Sequence, residues 1–342
     1  MISSIILLYV FLVTLLAITP AISLDHNTIT ADAAAAAAAA AAKHHHLSKD
    51  KISKSLSSLS SSQFSPHNTK AVIINFDDGS IGQYTYAKPI LDKYGFKATF
   101  FIVCNYANYN YGGGYMNWQQ VTQLQNDGMD IESHSMNHKD LGTLPVADLD
   151  YEIGQSKQCL LDHGLNGDGT GIDMFAYPGH SGADNPTIVN TVAKYYDTAR
   201  SGDIPLQFLN VHTNRYALAG INVVLETQID KQTKSYINDF QTSLDRFINL
   251  VNSQDKYNNN ENGQINAIPV IAYHKIDPTI NNNNNNDISA SITPPDLFDA
   301  EMKYLHDNGF KVYTMANLRY NQNNNSVYLG DIPGITAGAS SS

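Results

Sequence analysis

The stretch Ala71-Val72-Ile73-Ile74-Asn75-Phe76-Asp77-Asp78-Gly79 decides how the rest of the chain is read. A short, continuous, largely β-branched apolar run breaks off at two adjacent carboxylates and a glycine. Such a run predicts a strand buried on both faces. The two acids then sit at its C-terminal mouth, where parallel α/β folds collect their chemistry. Asp-Asp-Gly alone is a common solvated turn; the apolar run leading into it argues for a site.

Downstream, apolar strands alternate with segments of helical period. Residues 98–103, 129–133, 174–177, 197–200 and 267–273 read as further strands, with 207–211 and 222–225 as weaker pieces and 311–313 as a short last strand. Helices are expected over 84–94, 118–127, 145–163, 186–196, 236–251 and 294–308, with Gly95 and Gly128 placed as stops and Pro186 as a start. The Tyr-, Asn- and Gly-rich segment 105–114 reads as a loop. This alternation predicts an α/β fold, a distorted parallel (β/α) barrel of about seven strands, TIM-barrel-like, with its active site at the strand C-terminal ends.

The chain has 342 residues, 42% of them hydrophobic, enough for one large domain, and a net charge of −11 with scattered basic residues. Without a basic patch, nucleic acid is excluded as a partner and a polyanionic substrate is disfavoured. Twenty tyrosines against one tryptophan suit a surface that stacks on sugar rings, although tyrosine is also ordinary core material. Residues 1–24 read as either a cleaved secretory signal, ending near Ala21-Ile22-Ser23, or an uncleaved membrane anchor. Both place the remainder outside the cytoplasm, secreted or tethered. Residues 25–69, with an alanine run and His44 to His46, read as a linker; the three histidines are assigned to solvated tether rather than to a metal site. The catalytic domain is expected over 70–320, as a monomer, and a polar tail over 321–342. Cys104 and Cys159 permit a disulfide, with two buried thiols as the alternative.

Several expected strands end in groups able to do chemistry: Asp77-Asp78, His134, the Pro178-Gly179 turn and His274. A barrel brings those ends to one face. His134 and His138 are four residues apart, which on a helical turn puts both imidazoles on one side. Two imidazoles and a carboxylate form a three-ligand site with open positions, as a catalytic zinc requires. Adjacent aspartates point different ways, so one can bind a metal while the other faces the attacking water.

At this level the chain resembles the polysaccharide deacetylases, carbohydrate esterase family 4, with their NodB-like homology domain. Asn75-Phe76-Asp77-Asp78-Gly79 is close to the family's Thr-Phe-Asp-Asp-Gly, and His134 to His138 matches its His-[Ser/Thr]-x-x-His. Phe175-Ala176-Tyr177-Pro178-Gly179 is similar to its third motif, and Ile271-Ala272-Tyr273-His274 to its late Leu-x-His. The resemblance implies Asp77 as general base, Asp78, His134 and His138 as ligands of a divalent metal, most readily Zn2+, and His274 as general acid. It implies an oxyanion donor near Gly179 and substrate contacts at Tyr177 and Pro178. Ala176 stands where the family has an arginine that braces the base. Arg200, at the end of the next strand, is the candidate replacement, with a surface salt bridge as the alternative.

The expected activity is therefore removal of N-acetyl groups from an N-acetylglucosamine-type polysaccharide. A hydrolase of another amide and a non-catalytic glycan-binding module are the rivals. A glycosidase would use two carboxylates well apart rather than adjacent ones.

Overall fold

A computed structural model describes residues 69–202, 204–222, 227–229, 236–238, 240–259, 262–278 and 292–330. All lie within the larger of two units, Gln63–Ser342. The expected leader, the linker up to residue 68, the asparagine run 281–286 and residues 331–342 lie outside the described residues.

The opening stretch forms strand β1, Ala71–Phe76, with all six residues buried. It pairs in parallel with β2, Thr99–Ile102, which pairs with β3, Asp130–Ser133. The series continues in parallel through β4, Met174–Ala176, and β5, Thr198–Arg200. Strand β6, Leu206–Phe208, and strand β7, Ile221–Asn222, follow in the chain. Strand β8, Ala267–Tyr273, returns to the other side of β1 and also takes β7 in parallel and β6 antiparallel. A short β9, Lys311–Tyr313, pairs with the start of β1.

The curl closes through the segment that carries β7. Leu218 bridges Arg200 of β5 in parallel, and Ile221 and Asn222 pair with Ile271 and Ala272 of β8. Seven parallel strands, β1 to β5, β7 and β8, thus form a curled barrel surrounded by helices. Ile73, Phe101, Met174, Ala176, Leu218, Ile268 and Val270 fill its interior. On the outside, Phe76 stacks on Phe100 at 4.8 Å and meets Phe298 of the helix Pro295–Asp307. Strand alternation therefore sends Ile73 inward and Phe76 outward, and carries Asp77 to the interior side at the mouth.

Three local expectations are corrected. Residues 104–109 form a helix, not a loop, because the N–H groups of Cys104 and Asn105 find the carbonyls of Ser135 and Met136. The helix expected from residue 236 starts at Phe240, and Tyr236–Asn238 pairs as a strand with Thr227–Ile229. An antiparallel hairpin, Leu318–Asn321 with Ser326–Leu329, carries ordered pairing past residue 320. Among the described residues, no helix is long and apolar enough to cross a membrane.

Candidate active site

Asp77 ends β1 and is fixed from three directions. Its N–H donates to the carbonyl of Tyr273 at 2.8 Å, tying β1 to the end of β8. Its own carbonyl accepts from Gln83 Nε2 at 2.5 Å, and the same amide reaches the carbonyl of His274 at 2.6 Å. Gln83 is fully buried and opens the π-helical turn Gln83–Ala87, so one side chain locks two strand ends together. Ser80 adds a hydroxyl donor to the His274 carbonyl at 3.0 Å.

The Asp77 carboxylate faces Arg200, whose Nη2 lies 2.6 Å from Oδ1 and 2.5 Å from Oδ2. Both side chains are 1% exposed, so Arg200 is no surface residue. Its guanidinium sits over the Phe101 ring at 5.0 Å. Burial pushes the Asp77 carboxyl up, but the adjacent Arg200 guanidinium, by its charge and its hydrogen bonds, outweighs it and holds the group below the usual carboxylate range. Asp77 is therefore ionised at neutral pH. His274 Nε2 stands 3.7 Å from Asp77 Oδ2 with its side chain 18% exposed, at the open side of the pair.

Asp78 turns the other way. Its φ of 73° lies in the left-handed region, where a short polar side chain is among the few non-glycine types tolerated. Its Oδ1 lies 3.2 Å from His138 Nε2 and 3.5 Å from His134 Nε2. The histidines meet differently from the helical face expected for them. Residues 134–138 form an irregular turn in which Ser135 and His138 both have positive φ, and the two rings sit edge to face at 4.9 Å. Ser135 Oγ accepts the N–H of His138 at 2.9 Å and closes that turn.

These three residues are the one group of candidate metal ligands among the described residues, with their ligand atoms within 4.8 Å of one another. The donor set fits a divalent ion. His134 Nδ1 lies 2.8 Å from the Ala176 carbonyl, so it carries the proton and leaves the Nε2 lone pair toward Asp78. Burial lowers His134 to about 4, which keeps it neutral. Asp78 Oδ1 is buried without a hydrogen-bond partner. A carboxylate oxygen facing an imidazole lone pair in a buried spot repels unless a cation lies between them.

Ala176 leaves its arginine position empty but supplies the carbonyl that orients His134. Gly179 lies in the tight turn Pro178–His180 with φ 58°, and the turn's two hydrogen bonds use the N–H groups of His180 and Ser181. Tyr177 and Pro178 are both buried, and Tyr177 packs edge-on to Phe175 with its hydroxyl unpartnered. Strand pairing, with Tyr177 N donating to Arg200 O, draws the residue into the barrel wall. A half-buried aromatic pair lies beside the candidate metal-ligand cluster, where Tyr106 meets Tyr115 at a tilt with ring centres 4.2 Å apart and stacks on His138 at 6.1 Å.

Sequence reading missed Gln83, Ser80, Glu152, Asn105 and Asn137. Their contacts to site backbone or to each other join elements distant in sequence, and no spacing rule exposes them. Gly220 was also unmarked. A Cβ there would lie 2.9 Å from Arg200 Nη1, so its lack of a side chain makes room for the guanidinium.

A parallel α/β barrel with an Asp-His-His cluster and an arginine-held aspartate at one mouth is the class that fold and site define. Residues 65–197 match the family model described as polysaccharide deacetylase. YxkH of Bacillus subtilis (strain 168), a candidate polysaccharide deacetylase by name, is 34% identical over 89 residues, 26% of this chain and 31% of that protein. A chitin deacetylase of Pestalotiopsis sp. is 32% identical over 87 residues, 25% of this chain and 28% of its own length. The chain thus spans about a third of the length of the curated relatives it matches. Among solved structures, a family 4 carbohydrate esterase from Streptomyces lividans, in complex with acetate, aligns over 77% of this chain and 100% of its own. The TM-score of that alignment is 0.44 and the identity 18%.

Proposed function

We propose that the chain is an extracytoplasmic, metal-dependent N-deacetylase acting on N-acetylglucosamine-type units of a polysaccharide or cell-surface glycan. One observation carries this reading: Asp77, ionised against Arg200, and His274 stand 3.7 Å apart beside the Asp78–His134–His138 cluster at one barrel mouth. Asp78, His134 and His138 would hold a divalent metal, for which zinc suits two imidazoles and a carboxylate, and the metal would supply Lewis-acid activation of water and of the acetyl carbonyl.

The chain's own groups supply the proton transfers. Asp77 accepts a proton from the attacking water, and Arg200 keeps it ionised and oriented for that step. His274, on the exposed side of the pair, gives a proton to the departing amine, which leaves poorly until protonated. The N–H of Gly179 donates to the acetyl oxygen as negative charge develops there. The Tyr106–Tyr115 face beside His138 suits stacking on a sugar ring. The Cys104–Cys159 disulfide and the apolar N-terminus support an oxidising compartment outside the cytoplasm, with secretion or a membrane tether. The scattered charge supports a glycan rather than a nucleic acid, and a monomer is proposed.

Acetate release from a panel of amides tests this. N-acetylglucosamine oligomers should yield acetate in preference to small cyclic amides and N-acetylated peptides. Turnover confined to another amide would move the substrate class. No turnover, with the glycan still bound, would favour a binding module.

A further inference from the structure

The turn that carries His138 is gripped by a buried carboxylate outside the ligand set. Glu152 is 1% exposed and lies in the π-helical turn Asp150–Gly154, ahead of the helix Gln155–Asp162. Its Oε2 accepts the N–H of Asn137 at 2.9 Å, and its Oε1 accepts Asn137 Nδ2 at 2.7 Å. The Glu152 carbonyl also accepts the N–H of Met136 at 3.1 Å. Three bonds therefore run from one residue to the two positions just before His138.

The opposite side of the turn is held as well. The helix Cys104–Tyr109 presents its first N–H groups to Ser135 O and Met136 O, at 3.2 and 2.9 Å. Asn105 Nδ2 donates to Asn137 Oδ1 at 2.7 Å, so the Asn137 amide is used at both ends. The two grips are covalently joined, because the disulfide Cys104–Cys159 links this helix to the one that follows Glu152. The arrangement has a clear object. Ser135 and His138 occupy left-handed backbone, a conformation that costs on the order of 1–3 kcal/mol per residue unless its surroundings impose it.

We propose that Glu152 is a positioning residue for His138, acting through Asn137, and that it sets the metal affinity of the site. This rests on the reading of Asp78, His134 and His138 as a metal site. Ligand-supporting partners of this kind change metal affinity about 10- to 100-fold when removed. Glu152→Gln loses one acceptor and the charge while keeping the shape. Asn137→Ala deletes the amide and leaves Glu152 in place.

The test is zinc affinity of the full chain by competition with a chromophoric chelator, paired with the visible absorption spectrum of the cobalt-loaded protein. Both variants should bind zinc about 10- to 100-fold more weakly and shift the cobalt bands. The double variant should be no weaker than the weaker single one, since both act on one path. Wild-type affinity and cobalt bands in both single variants would overturn the proposal while leaving the metal site standing. So would losses that add in the double variant. If Glu152→Gln fails to fold, Asn137→Ala decides alone, and unchanged affinity there overturns it. Failure of the wild-type chain to bind zinc or cobalt would overturn the metal-site reading along with it.

Discussion

Arg200 Nη2 contacts both carboxylate oxygens of Asp77, at 2.6 and 2.5 Å, across 123 residues of chain and with both side chains sealed from solvent. The pair makes a buried carboxylate compatible with a folded barrel. Alone, the carboxylate would hold a proton; against the guanidinium it stays ionised.

Arg200→Met should cost about 3–5 kcal/mol in stability, because it strands a buried charge. The pH effect has a definite sign. Asp77 is held below its ordinary value, so the pair stabilises the fold above the unfolded carboxylate pKa and loses this as pH falls through the folded one. Removing Arg200 leaves burial dominant and raises Asp77, so the acid limb of the pH–rate profile should move to higher pH. Thermal unfolding and kcat/KM against pH check both.

Gly220→Ala acts on the same pair from behind. The new methyl would lie 2.9 Å from Arg200 Nη1 and 3.0 Å from its Cδ. Arg200 is pinned at its far end by Asp77, so it cannot swing aside cheaply. A stability loss of about 1–3 kcal/mol, the range for overpacking, should accompany a lowered kcat with little change in zinc content. Calorimetry and metal analysis separate these effects.

His274→Ala should lower kcat by about 10²- to 10⁴-fold, the usual worth of a positioned acid. Metal content should be unchanged, since His274 faces Asp77 and is not one of the clustered ligand residues. Zinc lost from this variant would place His274 among the ligands.

Glu301 gives a pH dependence unrelated to catalysis. Burial holds it at about 8 against an ordinary 4.5, outweighing the hydrogen bond from Tyr273 at 2.8 Å. Between those values the unfolded chain releases a proton that the folded chain keeps, so stability should fall as pH rises through the window and level off above it. Glu301→Gln should flatten that slope, with a gain at pH 8 on the order of a few kcal/mol. Urea unfolding at several pH values measures it.

Much of the barrel was legible because its strands are continuous apolar runs that stop at chemistry-bearing residues. Ile73 to Asp78 and Ile271 to His274 show this directly, and parallel pairing then brings both ends to one mouth. What could not be read depends on tertiary partners. Arg200 could be named from its place at the end of the next strand, but not the closure of the barrel by Leu218 to Asn222 or the space at Gly220 that accompany its contact with Asp77. The helix Cys104–Tyr109 is built from tyrosine and asparagine, and its first N–H groups are held by the His134–His138 turn rather than by propensity. The histidine pair was found by spacing, but the left-handed backbone at Ser135 and His138, not a helical face, brings the rings together.

The most direct test is acetate release from N-acetylglucosamine oligomers by the wild type and by Asp78→Asn, each before and after chelation and zinc return. Wild-type release should fall with the chelator and recover with zinc, while Asp78→Asn should bind no zinc and release no acetate in any condition. Full release by Asp78→Asn, or wild-type release indifferent to the chelator, would contradict metal-dependent deacetylation at this site.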